Sequence, residues 1–388
     1  MKKGLHGHWY VGMYKAKTMK KKSYTLASFD LLPLSDFTKT VFGESVESFD
    51  DMLRSPDPEA PFWSTHNGGI HAGKALEGLS FPALFTTSQY DIFVGGVFDM
   101  WNSLDENTKN NCALLVSAYD HSDKHDPVNS ITFPKGKRTD GFGEYYEIDW
   151  FDHIRFGKEA PIEKGKVTYY DLFSNVWRTD SFDVSGEKMN FTLGKKAVNY
   201  TYNPYDAPRF KGGLSCNFGG SVFQDKPNSR HDIISVYTAP FENETRVKGK
   251  MSARLTVKSD CPDTCFYVRV SIETDKGDLG LRDDITSLVY QLGDYTPNTE
   301  VTLDFNFDEQ TFTVKKGTRL RIDIASADND HYVRHTNNRG LYSEQTTARV
   351  ATNTVDVAGS FLELPIFNDR QTGMQSVRVS AEDNGSTC

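Results

Sequence analysis

Hydrophobic residues along this chain follow two different periods, and the change falls near residue 180. Before it, apolar runs alternate with stretches of helical spacing. FPALFTTS, 81–88, reads as a buried strand, and CALLVSAYD, 112–120, as a second. Between them, after a glycine pair, VFDMWNSL reads as a short amphipathic helix. IDWFDHIRFG, 148–157, reads as a helix with Trp150, Phe151 and Ile154 on one side, ending at Gly157. VTYYDLFSNVWR, 167–178, reads as one further strand. Further forward, Val46, Phe49, Met52 and Leu53 recur at helical spacing until Pro56 and Pro58 stop them. Strand, helix, strand, loop, helix is the order of an α/β domain, in which sites gather at the carboxyl ends of strands.

Beyond residue 180 the helical period is gone. ISVYTAPF, VKGKMSARLTVKS, CFYVRVSIETDKG, SLVYQLGD, EVTLDFNF, QTFTVKKGTRLRIDIAS and ARVATNTVDV read as short strands divided by Gly, Pro, Asp or Asn. Arg319 to Ile324 alternate charged and apolar, the mark of a half-buried strand. A two-sheet β-sandwich is the expected solution. The expected fold is therefore α/β plus all-β, in three regions: 1–78, 79–180 and 181–388.

Charge and composition narrow the partners. With 53 acidic and 44 basic residues the net charge is −9, which argues against nucleic acid. The lysine run KAKTMKKK, 15–22, reads as a solvated face. There is no apolar run long enough for a membrane helix, and the opening MKKGLHGHWYVG is not a signal peptide by pattern. The cysteines are Cys112, Cys216, Cys261, Cys265 and Cys388, an odd count that favours a reducing, cytoplasmic setting. Cys261-Pro-Asp-Thr-Cys265 is either a local bridge or two thiols near a turn. No further soft ligands stand at zinc spacing, and neither metal nor cofactor is expected.

The candidate chemistry rests on Asp91 and His121, each just past an apolar strand. Parallel neighbours bring such ends together. A carboxylate bonded to one imidazole nitrogen fixes the tautomer, and the other nitrogen then accepts a proton from a nucleophile. The plain alternatives are a helix N-cap for Asp91 and a loop histidine for His121. DHSDKHD, 120–126, also offers His121, Asp123 and His125 as metal ligands. A serine on a strand–helix elbow is missing: Ser45 lacks the second glycine and a preceding apolar strand, and Gly213-Leu214-Ser215 lies among turn residues before the sandwich.

Taken in order, SFPALFTTSQYDIFVGGVFDMWNSL, LLVSAYDHSD, DWFDHIRFG and VTYYDLFSNVWR resemble the X-Pro dipeptidyl-peptidase and cocaine-esterase-like (CocE/NonD) serine hydrolases. The resemblance continues through Tyr205-Asp206-Ala207-Pro208, Gly212-Gly213, DIISVY and GTRLRIDIASAD, from about residue 30 onward. It implies that 1–78 is cap or insert, 79–180 the C-terminal part of an α/β-hydrolase domain, and 181–388 a jelly-roll sandwich. Asp91 takes the place of the triad aspartate and His121 that of the triad histidine. The family's tryptophan before the histidine is replaced by Tyr119-Asp120, and Asp120 is expected to point outward. The nucleophile and oxyanion-hole strands of the family precede its cap, so they are expected upstream of Met1 or on another chain. The implied activity is hydrolysis of an ester or a short-peptide amide, possibly X-Pro dipeptidyl, and the chain is expected to be inactive alone. The competing readings are a catalytically inactive fragment and a carbohydrate- or ligand-binding sandwich, for which His331, Tyr332 and His335 are the candidate cluster. Phe49, Phe62 and Trp63 line an acyl pocket or simply belong to core. A homo-oligomer, or assembly with the missing half, is the expected partnership.

Overall fold

The computed structural model describes residues 30–57, 60–62, 81–183, 186–214 and 219–367. The lysine run, Trp63, Ser215, Cys216 and Cys388 lie outside the described residues. The architecture is mixed α/β with a β-sandwich region.

Two short helices come first, α1 (Phe37–Phe42) and α2 (Glu47–Leu53). Gly43, at φ 83°, ends α1 in the left-handed region that glycine enters without strain. Phe49, Met52 and Leu53 are buried, as their spacing predicts. They join Phe37 and Phe42 against Tyr267, Ile285, Tyr332 and Val333 of the β-region, with Phe62 packed alongside. Phe49 is therefore core, stacked on Phe37 at 5.5 Å.

A four-stranded sheet follows, in the order β1 (Leu84–Ser88), β2 (Ala113–Ser117), β3 (Val167–Asp171), β4 (Val176–Asp180). The first three are parallel and β4 is antiparallel to β3. Helices α3 (Val94–Ser103) and α4 (Glu106–Lys109) cross from β1 to β2, and α5 (Arg138–Phe142) and α6 (Tyr146–Phe156) from β2 to β3. β2 and β3 are buried along their whole length, hence the unbroken apolar run in one and the tyrosines in the other.

Three expectations need correction here. Residues 167–178 are two strands, β3 and the start of β4, joined by a turn in which Phe173 and Asn175 take positive φ of 66° and 59°. No glycine or proline marks that turn. Helix α3 also starts earlier than expected and contains the glycine pair. A Cβ on Gly95 would lie 2.5 Å from Asp308 Oδ1, so the first glycine permits close approach of the β-region, while Gly96 faces open space. In α6 only Tyr146 and Trp150 turn inward; Phe151 and Ile154 face out.

The rest is antiparallel. One sheet runs β11 (Gly277–Ser287), β10 (Cys265–Thr274), β14 (Leu320–Ala325), β7 (Ile234–Tyr237). The facing sheet runs β12 (Val301–Asn306), β9 (Ser252–Ser259), β15 (Ala351–Pro365), β5 (Lys188–Thr192), with β6 (Ala197–Tyr202) also paired to β15. β13 (Gln310–Val314) and β8 (Thr245–Gly249) form a separate ribbon. SLVYQLGD is not a strand: β11 ends at Ser287 and a one-turn helix, α7 (Leu288–Leu292), follows. β14 is buried on both faces. Its charged side is covered, with Arg321 paired to Asp278 at 3.0 Å and Asp323 at 2.9 Å. One of the apolar core clusters runs through both regions, taking in Tyr90, Tyr119, Tyr170 and Leu172 together with Leu279, Leu281 and Phe312.

Candidate active site

The parallel register of β1 and β2 pairs Ser88 with Ser117, so the chain leaves both strands side by side. The pairing persists past the strand ends: Gln89 N–H donates to the Ser117 carbonyl at 2.7 Å, and Tyr90 N–H to that of Tyr119 at 2.8 Å. Asp91 follows on one side and His121 on the other. His121 Nδ1 lies 3.1 Å from Asp91 Oδ1 and 3.2 Å from Oδ2. In the neutral ring a carboxylate at that distance holds the proton on Nδ1, which leaves a lone pair on Nε2.

Asp91 is buried, and its carboxylate is satisfied by more than the imidazole. Oδ2 accepts from Thr87 Oγ1 at 3.0 Å and Oδ1 from the Phe93 amide at 2.9 Å. The second bond is an Asx-type turn that leads into α3. Asp91 is not the N-cap of α3, which is Phe93 with no side-chain cap bond; its Asx-type turn and its contact with histidine coexist in one side chain. His121 is half exposed, and the Phe93 ring meets it edge-on at 5.2 Å. Arg138 donates to the His121 carbonyl at 3.3 Å and so ties the loop to the start of α5.

The three candidate ligand positions of 120–126 turn to separate partners. Asp123 accepts from Ser117 Oγ at 2.6 Å and from the Arg138 amide at 2.8 Å. His125 stacks on Tyr119 at 4.8 Å, and burial lowers its pKa. Among the described residues no group of three or more His, Cys, Asp or Glu is arranged to hold a metal ion. Asp120 does not point outward. It is fully buried and accepts from the amides of Ser122 at 3.0 Å and Lys124 at 2.9 Å, and from that of Gly219 at 3.3 Å. It shapes the loop that presents His121.

Two residues that sequence reasoning passed over anchor this edge. Gln89 Nε2 donates to Thr311 Oγ1 at 2.6 Å and to the Tyr170 carbonyl at 3.0 Å, and its Oε1 accepts from the Thr311 amide at 3.2 Å. Tyr90 OH donates to the Gly280 carbonyl at 3.0 Å, with the Arg282 guanidinium 5.5 Å from its ring. Gln89 and Tyr90 are thus fastened to the β-region while Asp91, next in the chain, meets the histidine. Their only sequence signal was a polar and an aromatic residue between a strand and an aspartate.

Among the described residues no hydroxyl or thiol is hydrogen-bonded to His121 Nε2. Ser45 instead donates to Asp50, in the segment between α1 and α2. The His331, Tyr332, His335 cluster is not an exposed aromatic platform. Tyr332 and His335 are buried, His331 Nδ1 lies 2.6 Å from Asp328 and His335 Nε2 3.2 Å from Asp263.

Comparison with known proteins fits this geometry. The family model described as the X-Pro dipeptidyl-peptidase C-terminal non-catalytic domain matches residues 163–361, just over half of the chain. The chain belongs to the family of the X-Pro dipeptidyl-peptidase C-terminal non-catalytic domain. It is 24% identical over 346 residues to a cocaine esterase from Rhodococcus sp. (strain MB1 Bresler), covering 78% of this chain and 58% of that protein. Among solved structures, an aminopeptidase from a marine sediment Thaumarchaeota archaeon superposes with a TM-score of 0.76 at 15% identity, over 90% of this chain and 65% of that one. An α-amino acid ester hydrolase gives 0.72 at 14% identity, over 87% and 64%. These likenesses concern the fold. The chain spans less than two thirds of the length of each of these relatives.

Proposed function

We propose that Asp91 and His121 are the orienting carboxylate and the acid–base imidazole of a Ser–His–Asp hydrolase. The observation that carries this reading is the bond from His121 Nδ1 to a buried carboxylate, with the opposite nitrogen on a half-exposed ring. In this reading the serine comes from a strand–serine elbow outside the described residues. Nε2 takes the hydroxyl proton as the serine oxygen attacks an ester or amide carbonyl. The imidazolium, stabilised by Asp91, returns the proton to the leaving group. Water then clears the acyl-enzyme by the same route. An oxyanion hole, also outside the described residues, would carry much of the electrostatic stabilisation.

The finer architecture belongs to the same proposal. Residues 1–78 serve as cap or insert, 79–180 as the C-terminal part of an α/β-hydrolase domain, and 181–388 as a jelly-roll. The substrate is a small ester or a short peptide, as the names of the relatives suggest. Two buried free thiols, Cys112 and Cys261, support a reducing, cytoplasmic setting. Among the described residues no helix is long and apolar enough to cross a membrane. A fluorophosphonate probe tests the reading on the chain as given. On residues 1–388 alone no serine among the described residues should label in a His121-dependent way, and strong labelling of such a serine, lost in His121→Ala, would overturn that part of the proposal.

A further inference from the structure

His121 stands in the loop 118–137, which joins β2 to α5 and contains no helix or strand. A side chain on such a loop keeps its angle to a partner only if the backbone around it is held from outside. Asp123, two residues on, does this with both carboxylate oxygens. Oδ1 accepts from Ser117 Oγ, at the end of β2, at 2.6 Å, and Oδ2 accepts from the amide of Arg138, the first residue of α5, at 2.8 Å. Arg138 closes the circuit. Its guanidinium donates to the His121 carbonyl at 3.3 Å, while its Nε lies 3.7 Å from Asp123 Oδ2.

Ser117 carries the connection on to β1. Its Oγ lies 2.7 Å from Ser88 Oγ, and both serines are fully buried. The Ser117 proton goes to Asp123, a carboxylate that only accepts, so Ser88 is the donor to Ser117. Ser88 in turn begins the turn that delivers Asp91: its carbonyl accepts from the Asp91 N–H at 3.0 Å. A hydrogen-bonded chain Ser88–Ser117–Asp123–Arg138 therefore links the approach to Asp91 with the carbonyl of His121, without passing through the bond between those two side chains. Asp123 also sits at φ 58°, in the left-handed region that aspartate tolerates better than most residues with a Cβ. Such a conformation persists where the surroundings over-determine it, and here three bonded neighbours do so. We propose that Asp123 is a positioning residue, which fixes the His121 loop between β2 and α5 so that Nδ1 stays on Asp91 and Nε2 keeps its lone pair. This role rests on the reading of Asp91 and His121 as an acid–base pair.

Side-chain ¹H–¹⁵N NMR on the full chain, labelled with ¹⁵N-histidine, reads the ring without any turnover. Each sample is titrated until the imidazole is neutral, and the His121 signal is assigned by its loss in His121→Ala. The wild type should show a single tautomer with the proton on Nδ1. Asp123→Gly accepts the positive φ without strain but removes both carboxylate bonds, and should give a mixture of tautomers although Asp91 is untouched. Ser117→Ala, which removes one of the two bonds, should shift the ring in the same direction. Asp123→Asn should restore the single tautomer, since its amide group donates to Ser117 Oγ while its oxygen still accepts from the Arg138 N–H. Circular dichroism establishes that each variant is folded; should Asp123→Gly fail there, Ser117→Ala and Asp123→Asn decide. An Asp123→Gly spectrum like wild type would overturn the proposal, because the residue would then serve only the backbone turn. So would an Asp123→Asn ring no more ordered than that of Asp123→Gly. Asp91→Asn separates the two claims, for it too should release the tautomer. If it does not, or if the wild type is already mixed, the pairing of Asp91 with His121 falls and the role of Asp123 with it. If Asp91→Asn releases the ring and Asp123→Gly does not, the role of Asp123 alone falls.

Discussion

Asp91 serves five groups at once: the Thr87 hydroxyl, the Phe93 amide and the His121 ring through its carboxylate, the Ser88 carbonyl through its N–H, and the Val94 amide through its carbonyl. Asp91→Asn keeps the size of the side chain but replaces one acceptor oxygen with a donor. In the proposed hydrolase the imidazole would then lose its tautomer restraint, and kcat should fall by about 10⁴-fold with KM little changed. Steady-state kinetics on an ester substrate checks this. A second residue gives a pH-dependent prediction. Glu309, at the turn that meets α3, has its pKa pushed up to about 7 by burial, against the opposing pull of Lys250 at 3.4 Å. A carboxyl raised above its unfolded value favours the folded state when protonated, and that advantage fades as pH climbs from the ordinary 4.5 through about 7. Glu309→Gln should therefore stabilise the protein at pH 8 by roughly 1–3 kcal/mol and change little at pH 5. Thermal melts at the two pH values read it directly.

At the scale of elements, the docking of the four-stranded sheet on the β-region makes the sharpest claims. Lys248 of β8 is wholly buried and bonds Asp180 of β4 at 3.0 Å, with burial drawing its pKa down. Lys248→Met leaves that carboxylate buried without its cation. Chemical denaturation should register a loss of about 3–5 kcal/mol. The two glycines of α3 should separate cleanly. Gly96→Ala gains helix propensity at no steric cost, whereas Gly95→Ala must displace Asp308. The first should be neutral or stabilising, and the second less stable than the first by about 1 kcal/mol. These elements also show what the sequence could reveal. Apolar runs and helical spacing were enough for β1, β2, α2 and the existence of α6, because burial there is one-sided or complete. β11 was missed because Arg282, Asp283 and Asp284 are charged yet buried, and a charged run reads as surface. The turn between β3 and β4 was missed because Phe173 bears its positive φ without turn chemistry. The outward face of α6 was misassigned because apolar residues stand on both of its sides, and periodicity alone does not say which one meets the core.

For the whole molecule, the continuous core explains why a region whose family description calls it non-catalytic bears on the site at all. Gln89 and Tyr90 are fixed by Thr311 and Gly280, nearly two hundred residues or more away in sequence, and no local pattern announces such partners. Asp91 and His121 were legible because strand ends carry their own signal; the bracing behind them was not. Thr311→Ala should thus loosen the Asp91–His121 pair without touching either residue, lowering kcat in the proposed hydrolase more than it raises KM. The central claim is that this pair activates a serine located outside the described residues. Its most direct test is fluorophosphonate labelling of extracts in which the gene is expressed from its own locus, with either the natural His121 or His121→Ala, followed by mass-spectrometric mapping of the labelled peptide. The account predicts a labelled serine that is lost with His121 and maps outside the described residues. Labelling of a serine within them, labelling that survives His121→Ala, or no His121-dependent label at all would contradict it.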